Sequence, residues 1–220
     1  MIIRIIDVET TGVDPLSDRI CEIAAVDVDT ETEATSTMQS LIDPLIPIPC
    51  TASAVHHITD EMVRGAPKLD EVIERYFGAD IYVAHNNRFD EKFLPPFKKP
   101  WIDTLRCAYY AWPDAPSFSN QALSYWLKAP RPEGDQAHRA LFDCWTTFGL
   151  LSLLAEKHSI DQLLEWSSKP ATLPMLRFGK HAGKKFSQVD IGYLQWMLGQ
   201  DFDEDVMFTA RAEMKRRNAA

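Results

Sequence analysis

The sequence has few cysteines, no long apolar run and a shortage of basic residues. Its four cysteines are scattered without a C-x-x-C pair, which argues against a zinc ribbon or a redox motif and favours reduced thiols. No apolar run approaches the roughly 18 residues needed to cross a bilayer. The first apolar run is broken by Arg4 and Asp7, unlike the uninterrupted core of a signal peptide. These absences predict a soluble, cytoplasmic protein with no membrane association.

Basic residues are outnumbered, since 32 acidic side chains face 23 basic ones and the net charge is −9. A balance of that sign opposes a simple electrostatic attraction to nucleic acid. The shortage is uneven, however: residues 1–61 hold 12 acids and two bases, whereas residues 151–220 hold nine acids and ten bases. We therefore expect part of the acidity to form a cation site, and the C-terminal part to be the more basic region.

Length and composition indicate one sizeable domain with a smaller appendage. The chain has 220 residues, of which 45% are hydrophobic and 25% charged, ordinary values for a globular protein. Apolar runs predict strands over 2–8, 19–29, 38–42 and 81–84. Helical spacing predicts helices over 69–77, 90–97 and 137–158. The first three strands predict an antiparallel meander, and the later alternation of strand and helix predicts parallel additions to the sheet.

A change of composition near residue 168 predicts a domain boundary. A stretch with two prolines is followed by the glycine-punctuated segment R-F-G-K-H-A-G-K-K-F and by an apolar helix. We therefore predict an α/β domain over 1–168 and a small α+β appendage over 169–220.

Two acids end the first predicted strand. Asp7 and Glu9 are two residues apart, so their side chains leave on the same face of the sheet, where an uncompensated buried pair would be costly. The alternative is that the strand ends at Ile6 and both acids are solvated. A tight turn follows whose backbone N–H groups could hold a ligand oxygen; its residues are Thr10, Thr11 and Gly12.

Two further polar clusters lie at the ends of predicted elements. The segment H-N-N-R-F-D, which ends at Asp90, follows the predicted strand at 81–84. Ligands bind at the ends of strands in α/β sheets, so this segment is a candidate site. The alternative is a polar loop that caps the next helix. H-R-A-L-F-D runs from His138 to Asp143, a five-residue offset of about 140° around a helix. Both can face one site only if His138 lies in the loop or first turn, which Gly134 and Asp135 favour.

Together, D-V-E-T-T-G, H-N-N-R-F-D and H-R-A-L-F-D resemble the three motifs of the DnaQ-like 3′–5′ exonucleases, the DEDDh group. The segment H-H-I-T between them is also similar to that group, and the resemblance covers roughly residues 1–155. It implies an α/β, RNase H-like fold with a mixed five-stranded sheet flanked by helices. It also implies hydrolysis of phosphodiester bonds at DNA 3′ ends to release 5′-mononucleotides, with a role in DNA repair.

The resemblance also implies a set of site residues. The metal carboxylates would be Asp7, Glu9, Asp90 and Asp143, and His138 would be the general base. Four acids without a cysteine suit Mg²⁺ or Mn²⁺, two ions per site. The side chains expected to hold the terminal nucleotide, together with Gly12, are Thr10, Thr11, His56 and Asn86.

The appendage resembles the C-terminal region of one bacterial member of the group. Residues 169–185 hold five bases and no acid, and we expect Lys180, Lys184 and Lys185 to contact phosphates. The alternative is a small β-hairpin with solvated lysines. Upstream, the aromatic residues Trp112, Tyr125 and Trp126 are expected in the core.

Other functions remain open from the sequence. An RNA-directed enzyme similar to RNase T or oligoribonuclease, a polymerase III proofreading subunit, and a silent nucleic-acid-binding module are the alternatives. The sequence also leaves RNA as a partner and a homodimer open.

Overall fold

The computed structural model describes residues 1–132 and 137–219. Gly134 and Asp135, which favoured a loop before His138, lie outside the described residues. No helix in the described ranges is long and apolar enough to cross a membrane.

A mixed five-stranded sheet forms the centre of the fold. Its strands are β1 (Ile2–Thr10), β2 (Ile20–Asp29), β3 (Thr35–Leu41), β4 (Ile81–Ala84) and β5 (Trp101–Asp103). The spatial order is β3-β2-β1-β4-β5, with antiparallel pairs β1/β2 and β2/β3 and parallel pairs β1/β4 and β4/β5. The predicted meander with parallel additions is confirmed.

Helices cover the sheet and continue to the C-terminus. They are α1 (Cys50–His56), α2 (Asp60–Val63), α3 (Leu69–Val72), α4 (Asn87–Phe93), α5 (Thr104–Ala111), α6 (Asn120–Leu127), α7 (Ala140–Ala155), α8 (Ile160–Ser167), α9 (Ile191–Leu198) and α10 (Glu204–Asn218). Within residues 1–132 and 137–219, 3₁₀ turns occur at Ile73–Tyr76, Gly179–His181 and Phe186–Gln188. The helix expected over 69–77 is thus α3 continued by a 3₁₀ turn.

Strand β1 is buried on both faces, and its alternation sets the position of the site. Ile3 and Ile5 pack in one apolar cluster with α7, whereas Ile6 and Val8 pack on the opposite face. Because successive strand residues alternate, the face of Ile3 and Ile5 continues directly into Asp7 and Glu9. The strand runs to Thr10, so the alternative in which it ends at Ile6 is wrong.

Helix α7 is buried on nearly all sides and lies against β1 and β2. On its outer side Gly149 allows the carbonyl of Pro130 to approach so closely that a Cβ at this position would overlap the carbonyl oxygen. The connection that follows α6 is therefore pressed directly against α7.

The C-terminal region packs into the same hydrophobic core as α5 and α6. One cluster joins Phe118 and Leu123 to Leu176 and Leu194 across residue 168. A buried ion pair crosses the same position, because the Arg106 guanidinium lies 2.7 Å from the Asp205 carboxylate. The predicted boundary at 168 stays a prediction, but the core is continuous across it.

The α+β expectation for the appendage is wrong, because residues 169–219 form helices and turns without a strand. Two backbone hydrogen bonds join Leu176 to Gly183 and Lys184, at 2.7 and 2.8 Å. They close one tight loop, in which Gly179 and Gly183 take the positive φ angles of 65° and 82°. A 3₁₀ turn begins at Phe186, so no strand ladder forms.

Candidate active site

Three of the four predicted metal carboxylates converge at the end of β1. Asp7 and Glu9 come from β1 and Asp143 from the first turn of α7, and a carboxylate oxygen of each lies within 4.8 Å of the others. Asp90, on α4, is 3% exposed. It is not among the three carboxylates that meet within 4.8 Å.

The pKa values of all four acids are raised, because burial and neighbouring negative charges disfavour the ionised carboxylates. Burial, followed by the charges of Asp90 and Glu9, raises the pKa of Asp7 well above its ordinary value. Burial and then the charge of Asp143 raise the pKa of Glu9 to about 8. Burial likewise raises the pKa values of Asp90 and Asp143. Carboxylates that resist joint ionisation in this way fit a site for hard divalent cations, which favour their ionised form.

His138 lies beside this cluster in the loop before α7, which begins at Ala140, as the five-residue offset to Asp143 requires. Its backbone takes a positive φ of 62°, and its N–H donates to Asp143 Oδ2 at 2.9 Å. The exposed His138 side chain lines a cavity of about 190 Å³ together with Asp7 and Asp143. An imidazole in this place can exchange protons with a molecule in the cavity.

A fifth buried acid, Glu22 on β2, was not predicted as part of the site. It is directly opposite Glu9 in the sheet and is 0% exposed. The Arg139 guanidinium binds it at 2.6 and 3.1 Å, and the Ala140 N–H donates to it at 3.0 Å. Glu22 thus holds the start of α7, next to His138. The signal in the sequence is an acid inside an apolar strand, which becomes informative once the register with β1 is known.

The first turn of α6 supports Asp143 from the other side. The Gln121 side-chain amide donates to Asp143 Oδ1. The Asn120 amide donates to the Asp143 carbonyl at 3.2 Å and to Thr147 Oγ1 at 3.0 Å. Both residues line the site cavity. They lie in a segment for which sequence patterns predicted no element, and polar residues near a helix start carried no specific signal.

His85 also lines the site cavity, but both of its ring nitrogens are engaged in hydrogen bonds within the protein. Its ring nitrogens bond Thr104 Oγ1 at 2.9 Å and the Phe118 carbonyl at 2.7 Å. Burial lowers the pKa of His85 to about 4, so the ring is neutral at ordinary pH. It ties the end of β4 to the segment that leads into α6.

Three predicted nucleotide-binding side chains make hydrogen bonds inside the protein, and their role in binding stays a prediction. Thr10 donates its hydroxyl to the Gly12 carbonyl at 2.5 Å, and Thr11 donates to Asp18 Oδ1 at 3.1 Å. His56 is 2% exposed. Its Nδ1 accepts from the N–H two residues on, at 3.0 Å. All three side chains are buried, and those of Thr10 and Thr11 shape the turn after β1.

Gly12 and Asn86 keep positions compatible with ligand binding. A Cβ at Gly12 would collide with the Asp18 carboxylate, so a larger residue here would require that side chain to move. Asn86 has a positive φ of 74° and lines a cavity of about 520 Å³ with Arg88 and Phe89.

The predicted basic and aromatic residues fall on the surface. Lys180, Lys184 and Lys185 are all exposed, and none of them lines the site cavity. Tyr125 and Trp126 are 62% and 45% exposed, so their expected place in the core is wrong. Helix α6 turns its buried face towards α7 and the C-terminal region, which leaves these two rings outside. Trp112 does pack partly buried against the core.

Comparison with known proteins finds relatives among nucleases and DNA polymerases. The family model described as Exonuclease (RNase T) matches residues 5–151, well over half of the chain. Exodeoxyribonuclease 10 of Escherichia coli (strain K12) is 38% identical over 203 residues, which cover 89% of this chain and 90% of its own length. The PolC-type DNA polymerase III of Listeria monocytogenes is 34% identical over 173 residues, 71% of this chain but 12% of its own length.

Solved structures agree with the fold. Exonuclease X in complex with 5′ overhanging duplex DNA superposes with a TM-score of 0.68 at 37% identity, covering 75% of this chain and 99% of its own. Exonuclease I reaches 0.60 at 21% identity, over 75% and 42% of the two chains, and at that identity supports the fold alone. The expected RNase H-like exonuclease fold is confirmed. This chain belongs to the exonuclease family, in its DnaQ-like branch.

Proposed function

We propose that this protein is a metal-dependent 3′–5′ exodeoxyribonuclease that releases 5′-mononucleotides from DNA ends. The observation that carries the proposal is the convergence of Asp7, Glu9 and Asp143 within 4.8 Å. It occurs in a chain 38% identical to an exodeoxyribonuclease over 90% of that enzyme's length. A role in DNA repair stays a prediction.

The four carboxylates would hold two divalent cations, Mg²⁺ or Mn²⁺. Oxygen-only donors without a thiolate or imidazole match these hard ions. The raised pKa values of Asp7 and Glu9 support this assignment, because a cation relieves the repulsion that opposes their ionisation. When bound, such ions polarise the phosphodiester and lower the pKa of a water.

The protein's own residues would orient the carboxylates and remove a proton from the attacking water. His138, at the open side of the cavity, accepts a proton from the attacking water as general base. Its backbone N–H and the Gln121 amide hold Asp143 in a fixed orientation. Glu22 and Arg139 fix the start of α7 and therefore the distance between His138 and Asp143. Each group is placed by a contact that exists before substrate binds.

DNA would be bound by local contacts, since the net charge of −9 provides no general attraction. Lys180, Lys184 and Lys185 supply exposed positive charge on one loop, and Asn86 lines the larger cavity next to α4. The likeness to exonuclease X in complex with 5′ overhanging duplex DNA supports DNA ends as the substrate.

The test is degradation of 5′-labelled oligonucleotides of matched sequence as single-stranded DNA, duplex DNA and RNA, with Mg²⁺, Mn²⁺ or a chelator. We expect stepwise shortening of DNA from the 3′ end, abolished by the chelator and restored by added ion. Asp143→Asn and His138→Ala should each lose most of the activity, and Glu61→Gln on the exposed side of α2 is the matched control. Preferential shortening of RNA, or full activity in Asp143→Asn, would contradict the proposal.

A further inference from the structure

Two neighbouring aromatic rings stand in solvent beside the candidate active site. Tyr125 and Trp126 lie on α6 and are 62% and 45% exposed. The Arg131 guanidinium lies 3.5 Å from the centre of the Tyr125 ring. One face of the tyrosine ring is therefore covered by a planar cation, while the side chain as a whole remains largely exposed and open to stacking with a nucleobase.

Helix geometry joins this feature to the catalytic carboxylate. Gln121, which bonds Asp143, and Tyr125 are four residues apart on α6, so they share one face about 6 Å apart along the axis. Gln121 lines the site cavity, and Tyr125 stands one turn farther out. A chain entering the cavity along this face of α6 would pass Tyr125 first, with Trp126 on the adjoining face of the helix.

The charge around the pair also suits a polyanion. Residues 115–132 contain no acid and two bases, Lys128 and Arg131, in a chain whose net charge is −9. Both bases are exposed. Exposed aromatic rings interleaved with cations are the combination by which proteins bind single-stranded nucleic acid without reading its sequence.

We propose that these four residues, Tyr125, Trp126, Lys128 and Arg131, form a platform that binds unpaired nucleotides of the substrate strand next to the end being cut. We call it the α6 platform. The rings stack on bases and the two cations contact phosphates. Because the bases of a duplex are covered by their neighbours, the platform favours single-stranded ends. This inference rests on the proposed exonuclease function and adds the part of the substrate that the metal centre does not contact.

The test compares a full-length substrate with one that lacks neighbouring nucleotides. Wild type, the double variant Tyr125→Ala/Trp126→Ala and the conservative Tyr125→Phe/Trp126→Phe are assayed on a single-stranded DNA oligonucleotide and on the p-nitrophenyl ester of thymidine 5′-monophosphate. Phe208→Ala, which removes another exposed ring on α10, is the matched control. All four proteins are checked for equal thermal unfolding temperatures.

We expect the alanine variant to raise KM for the oligonucleotide about fivefold or more, and to change KM for the ester much less. Loss of one stacked base weakens binding by about this factor. The phenylalanine variant and Phe208→Ala should stay near wild type. Equal losses on both substrates, or none, would overturn the platform.

Binding is measured separately so that the two proposals can fail independently. Fluorescence anisotropy of a labelled single-stranded oligonucleotide, with Ca²⁺ in place of Mg²⁺, requires no hydrolysis. If wild type cleaves neither substrate with Mg²⁺ or Mn²⁺, the exonuclease proposal fails. Weaker oligonucleotide binding by the alanine variant would still support the platform, and unchanged binding would refute it.

Discussion

Removing the cation that neutralises Glu22 is expected to destabilise the whole protein. In Arg139→Gln the Glu22 carboxylate would remain fully buried opposite Glu9 and close to the other acids of the site. It would keep the Ala140 N–H and the Gln39 side-chain amide as donors but lose both guanidinium bonds. A buried charge without its partner is among the largest single-residue costs in a folded protein.

The expected cost can be placed within the known range. Breaking a buried ion pair by removing one partner costs about 3–5 kcal/mol. The Arg139 side chain is 28% exposed, so water already screens the pair and the lower value, about 3 kcal/mol, applies. For a chain of this size that corresponds to a fall in Tm of roughly 6–12 °C.

A double-mutant cycle read by differential scanning calorimetry separates charge from packing. Glu22→Gln removes the buried charge and leaves Arg139 partly in water, so Tm should change little. Glu22→Gln/Arg139→Gln has no buried charge and should regain most of the stability lost in Arg139→Gln. The reasoning is refuted if Arg139→Gln unfolds within about 2 °C of wild type, or if the double variant is less stable than either single one.

Three further outcomes are expected. In the presence of a chelator, the free energy of unfolding should fall by up to ~1.4 kcal/mol per pH unit, and Tm with it, as pH rises from about 5 to 8. The reason is that the pKa of Glu9 is raised from 4.5 to about 8, so its contribution to stability is complete below pH 4.5 and is lost as pH passes about 8. Plots of Tm against pH from thermal-shift assays should be flatter for Glu9→Gln and for wild type with Mg²⁺, and a flat plot for wild type in chelator would contradict this. Gln121→Leu should raise the Mg²⁺ concentration for half-maximal activity about 10–100-fold, since it removes the donor that orients Asp143; an unchanged Mg²⁺ titration would exclude that role. Asp205→Asn should lower Tm in a single calorimetric transition, because Arg106, 4% exposed, loses a charged partner and the core crosses residue 168; two separate transitions would show that the C-terminal helices unfold independently.

The parts of the fold that follow from the sequence are those with a clear period. Alternation in β1 put Asp7 and Glu9 on one face, and the motif around Asp143 required His138 in the loop before α7, where it lies. The antiparallel meander with later parallel additions also followed from the sequence, because the pattern changes from consecutive strands to alternating strand and helix.

The supporting residues could not be predicted because their roles depend on tertiary neighbours. Glu22 becomes part of the site only through its register with Glu9 and through Arg139, 117 residues away in the chain. Gln121 acquires its role from the packing of α6 on α7. Exposure of Tyr125 was missed because spacing alone does not tell which face of a short helix the C-terminal region covers.

The contact between Gly149 and Pro130 has a consequence for how substrate enters. Helix α6 is tied to α7 at its start through Asn120, and the connection after it is pressed onto α7 at Pro130. A segment fastened at both ends to a buried helix has no hinge about which to swing. On this side of the site we therefore expect a fixed surface rather than a closing lid, against which a DNA end would have to fit.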